Sequence, residues 1–98
     1  MINDVFWHTI GLNFLKEFQL RHPEILIINF ETFNKELVEE IALSVNEFKI
    51  LKEPFKYVNG GLTSILVEFQ IYKKCKPEEF KCNISELIQF AETLLVSN

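Results

Sequence analysis

The sequence predicts an α+β domain in which a small mixed or antiparallel sheet of three to four strands packs with three helices, in the order α-β-α-β-β-(β)-α. Three observations lead there. Separate stretches near the start, middle and end place apolar residues at helical spacing. A short β-branched run, Ile25 to Phe30, has the composition of a buried strand. Asn59-Gly60-Gly61 separates two further apolar runs, as the turn of a hairpin would. With 98 residues the chain is expected to form a single domain, residues 1-98.

The first helix is expected from Asp4, whose short carboxylate suits a cap, to about Leu20. At roughly 100° per residue, Trp7, Ile10, Phe14 and Phe18 form one stripe with Gly11 beside them. The helix should stop before His22-Pro23, because proline disfavours helical geometry in the residue before it. Ile25-Leu26-Ile27-Ile28-Asn29-Phe30 then reads as a strand buried on both faces and central in its sheet. Asn34 suits the cap of a second helix reaching about Phe48. Leu37, Val38, Ile41, Val45 and Phe48 share one arc of it, with Glu36, Glu40 and Glu47 almost opposite.

Lys49 to Pro54 reads as a connector. Phe55-Lys56-Tyr57-Val58 reads as a strand and Asn59-Gly60-Gly61 as its turn. Ser64 to Lys73 reads as the returning strand, since Ile65, Val67, Phe69 and Ile71 alternate with Leu66, Glu68, Gln70 and Tyr72. Lys76-Pro77-Glu78-Glu79 marks a second turn, and Phe80-Lys81-Cys82 a short edge strand. Asn83, with Glu86 three positions on, resembles a capping pair for a last helix that buries Ile84, Leu87, Ile88, Ala91 and Leu95.

Hydrophobic residues make up 48% of the chain and charged residues 24%, the mixture of an ordinary globular protein. Ten phenylalanines let so small a domain bury much apolar area, at roughly 25 cal/mol per Å². The net charge of −4 argues against nucleic acid as a partner and suits a basic protein instead. The charge is unevenly spread. Residues 31–48 hold five glutamates against one lysine, whereas residues 49–81 hold seven lysines against four glutamates. No apolar run approaches the ~20 residues of a membrane span, so no membrane partner is expected. Met1-Ile2-Asn3-Asp4 lacks a basic region followed by an apolar stretch, so no signal peptide is expected and the cytoplasm is the expected location.

No run of residues spells out a reaction, a cofactor or a metal site, and none of these is expected. Asp4 and His8 are four apart on the first helix, but Asp4 has a capping role and His8 reads as a histidine at the border of the buried stripe. His22, before Pro23, reads as solvent-facing. Cys75 and Cys82 could bridge if they flanked a hairpin, or stand as two reduced thiols, the plainer reading. A small Cys/His enzyme built on Cys75, Cys82 or His8 is one alternative, although the spacing fits no compact zinc pattern. Asn59-Gly60-Gly61 lacks the Gly-Lys-Ser/Thr ending of a phosphate loop. Surface is what remains. Glu36, Glu39, Glu40 and Glu47 surround Leu43 on the second helix, a leucine ringed by carboxylates that suits an interaction site. Lys73, Lys74, Lys76 and Lys81 form an opposite patch, which protection of a strand edge also explains.

In length, acidity, abundance of Phe and Asn, and its acidic helix from Asn34 to Phe48, the chain resembles the small immunity proteins of bacterial contact-dependent growth inhibition and related polymorphic toxin systems. The resemblance implies a protein that binds one cognate toxin domain, commonly a nuclease, and occludes its active site. A nuclease must be cationic to hold its substrate, so an acidic inhibitor can stand in for phosphate charge. The expected partner-binding residues, chosen on charge, are Glu36, Glu39, Glu40, Leu43 and Glu47. The rival reading is a non-catalytic adaptor, secretion chaperone or homodimeric module.

Overall fold

The computed structural model describes residues 4–44 and 54–96. Four helices dominate it: α1 (Asp4–Arg21), α2 (Lys35–Ser44), α3 (Pro54–Tyr72) and α4 (Ile84–Val96). Two strands of two residues each, β1 (Ile27–Ile28) and β2 (Cys82–Asn83), pair antiparallel, with Ile27 opposite Asn83 and Ile28 opposite Cys82. The expected α+β domain with a sheet of three to four strands is therefore wrong. Among the described residues the chain is a helical domain with one minimal strand pair.

The correction centres on Phe55 to Lys73. The expected hairpin is the helix α3, and neither Gly60 nor Gly61 has positive φ. Its buried residues, Val58, Gly61, Leu62, Ile65, Leu66 and Phe69, follow helical spacing. The alternation that suggested a strand fails in burial, since Val67 is 38% and Ile71 62% exposed. Proline is well tolerated at a first helical position, which suits the start at Pro54. The helix ends in a paired-turn motif: Cys75 N donates to Gln70 O (3.4 Å) and Lys74 N to Ile71 O (3.0 Å). Lys74 adopts φ 55° there, where glycine is usual.

The glycines serve contact between helices rather than a turn. A Cβ at Gly11 would stand 2.6 Å from Gly61 O, and one at Gly61 would strike Trp7 O and lie 2.8 Å from Gly11 N. Trp7 stacks on Tyr57 at 5.6 Å, so contacts advance together along both helices and α1 and α3 run in the same sense. Helix α4 crosses α3 in the opposite sense, with Phe90 stacked on Phe69 at 4.5 Å and Lys73 reaching Glu86 at 3.4 Å.

 Helix α4 thus lies antiparallel to α3, and Gln19 Nε2 donating to Ser85 Oγ (3.3 Å) ties its start to the end of α1.

The remaining elements follow from local chemistry. Asn34 Oδ1 accepts from Leu37 N (2.9 Å) and caps α2, as expected, while Val45 to Phe48 lie outside the described residues. Asn83 Oδ1 accepts from Ser85 N (2.7 Å) at the start of α4. Asp4 is the first residue of α1, and its side chain, the expected cap, lies outside what is described. The run Ile25 to Phe30 is not a central strand: only Ile27 and Ile28 pair, and Leu26 and Ile27 are 59% and 53% exposed. Its apolar side chains lack a sheet to enter because the partners expected from residues 55–73 are helical.

Two aromatic groups fill the interior. Phe14, Phe18 and Phe33 meet in one, and Phe30, Phe69, Phe80 and Phe90 in the other. His8, expected at the border of the α1 stripe, is instead buried at 3% exposure, and neither ring nitrogen has a hydrogen-bond partner among the described residues. An orphaned buried polar group costs about 1–3 kcal/mol. His8→Leu is therefore expected to stabilise the protein by about 1 kcal/mol and raise Tm by roughly 4–8 °C in a thermal melt. A fall in Tm of that size would mean that the ring has a polar partner.

Candidate functional site

Helix α2 carries the expected site. Val38, Ile41 and Ala42 are buried against the rest of the domain, with Leu37 partly so. Glu36, Glu39 and Glu40 are exposed, and Leu43 is 58% exposed. At roughly 100° per residue these four fall within an arc of about 100°, opposite the buried residues. None of the three glutamates pairs with a cation among the described residues. Glu36 also lies in the first turn, where the helix dipole favours negative charge. Glu47, the fifth expected residue, lies outside the described residues.

The lysine patch is less uniform than the sequence suggests. Lys73 Nζ lies 3.4 Å from Glu86 and 4.9 Å from the centre of the Phe69 ring. It is partly occupied within the protein, while Lys74, Lys76 and Lys81 remain exposed.

Among the described residues no hydrogen bond joins a cysteine to a histidine. Both cysteines are free thiols. Cys75 Sγ meets Gln70 O at 3.9 Å. Burial pushes the Cys82 thiol up to about 11, with Lys73 pulling it back and Glu86 adding to the rise. A thiol so shifted stays neutral near pH 7, the reverse of an activated nucleophile. His22 packs on Phe18 with ring centres 5.0 Å apart, and its Nδ1 lies 3.6 Å from Glu24 Oε1. It is half-buried rather than solvent-facing. Among the described residues no three His, Cys, Asp or Glu side chains gather as metal ligands, and no helix is long and apolar enough to cross a membrane.

The structure also forms a cleft of about 300 Å³ that the sequence did not suggest. Asn29, Phe30 and Glu31 line one side, and Pro77, Glu78 and Phe80 the other. The Pro77–Glu79 wall was readable as a turn, whereas Asn29 and Phe30 were read as the end of a strand. Their meeting, about 47 positions apart in the chain, depends on β1 pairing with β2 and is invisible to local patterns.

No protein-family model, no curated protein and no solved structure matches the chain. What α2 offers is thus argued from its own residues: a capped helix presenting negative charge around an exposed leucine.

Proposed function

We propose that the chain is a non-catalytic binding protein of the immunity type, which neutralises a cationic toxin domain by laying the exposed face of α2 over its active site. The observation that carries this reading is the arc of Glu36, Glu39, Glu40 and Leu43, exposed and without cation partners among the described residues. Carboxylates at the rim steer a basic partner and raise the rate of encounter, while an apolar residue among them supplies desolvated contact area. The net charge of −4 acts in the same direction.

The test begins with affinity capture from native lysate, using the wild-type chain beside a Glu36→Lys, Glu39→Lys, Glu40→Lys variant. A basic protein is expected on the first and not on the second. With the purified pair, the association rate should fall about tenfold or more between low and high salt, and the variant should lose that dependence. Equal capture by both chains, or a rate indifferent to salt, would remove α2 as the binding surface.

A further inference from the structure

We propose that the cleft between the β1–α2 loop and the Pro77–Glu79 turn is an anchor pocket for an arginine side chain of the protein partner. The inference rests on the reading of the chain as a binder of cationic protein and adds to it a second, concave point of contact.

The walls are held in place by their own hydrogen bonds. Asn29 Oδ1 accepts from Glu31 N (2.8 Å) and from Thr32 Oγ1 (3.0 Å), and Asn29 N donates to Thr32 Oγ1 (2.6 Å). Opposite, Glu79 N donates to Lys76 O (3.0 Å) and Phe80 N to Pro77 O (3.3 Å). Between them Phe30 and Phe80 lie with ring centres 5.4 Å apart, Phe80 buried and Phe30 partly open. Glu31 and Glu78 line the cleft from opposite walls, both exposed and neither paired with a cation among the described residues.

The open part of the Phe30 ring, in a cleft lined by two unpaired glutamates, complements a planar cation. A guanidinium is weakly hydrated, stacks on rings and donates to carboxylates in pairs, whereas an ammonium is a compact and strongly hydrated point charge. The volume, about 300 Å³, admits an arginine side chain together with ordered water. Location supports the same occupant. Glu31 stands five positions before Glu36, so a basic protein seated on α2 has the cleft within reach along one continuous stretch of chain.

The probe is Nα-acetyl-arginine N-methylamide, titrated into the ¹⁵N-labelled full chain and followed by amide chemical shifts. Its citrulline counterpart, equal in shape and without charge, is the control. Saturable shifts at Phe30, Glu31, Glu78 and Phe80 are expected with arginine, and binding about tenfold weaker with citrulline. Glu31→Gln and Glu78→Gln, both exposed positions, should each weaken arginine binding by at least about fivefold without lowering Tm. Equal binding of citrulline, indifference to both substitutions, or shifts confined to α2 would overturn the anchor. The probe needs no partner, so such a failure leaves the reading of α2 standing. Failure of the capture experiment with a sound titration would discard α2 instead.

Discussion

Gly61→Ala is expected to cost the protein about 2 kcal/mol, although alanine is the better helix former by about 1 kcal/mol. The new methyl group would meet Trp7 O and Gly11 N, backbone atoms of α1 that cannot rotate away. The helices must then part, and overpacking against an unyielding neighbour costs about 3 kcal/mol, more than propensity returns. Gly60→Ala is the matched control. Its Cβ would lie 2.7 Å from Trp7 Cζ3, the far edge of a half-buried ring that can shift. Gain and strain there should nearly cancel, leaving a change under about 1 kcal/mol. Urea denaturation of the three proteins measures both values. A hairpin turn, with both glycines at positive φ, would instead penalise both substitutions. If Gly61→Ala stabilised the protein, α1 and α3 would not be as close as the Gly11–Gly61 contact requires.

The same pair of glycines shows where sequence reading stops. Their neighbours satisfy two periods at once. Ile65, Val67, Phe69 and Ile71 alternate as a strand does, while Val58, Leu62, Ile65, Leu66 and Phe69 recur as a helix does. Local pattern cannot choose between them. What chooses is a partner far away in the chain, Gly11, which makes a glycine in mid-helix more useful than its roughly 1 kcal/mol propensity cost. Helices α1, α2 and α4 were legible because each has one period and a readable stop or cap, such as His22-Pro23, Asn34 and Asn83. The acidic arc of α2 was legible for the same reason, since its residues are neighbours on a single helix. His8 was misjudged because a stripe drawn through Trp7, Ile10, Phe14 and Phe18 describes one side of a helix that is covered on two, by α3 and by α4.

Phe18→Ala is expected to destabilise the protein by about 4 kcal/mol, a large share of the roughly 5–15 kcal/mol that holds a domain folded. The ring is fully buried, with its centre 4.3 Å from Phe33, 5.0 Å from His22 and 5.8 Å from Phe14. Removing it opens a cavity among rings that cannot all collapse into the space. Leu20→Ala, two residues on at an exposed site, should cost under about 0.5 kcal/mol. The larger consequence runs through Phe33. It precedes Asn34, the residue that caps α2, so Phe18 holds the loop from which the acidic helix departs. In the variant, native-state hydrogen exchange at Leu37 and Val38 should quicken more than at Ile65 in α3, because α2 loses its anchor before the α1–α3 pair separates. Uniform acceleration across both helices would place α2 in the same cooperative unit as the core, and a stability loss below about 1 kcal/mol would mean that the Phe14–Phe18–Phe33 group is not packed as described.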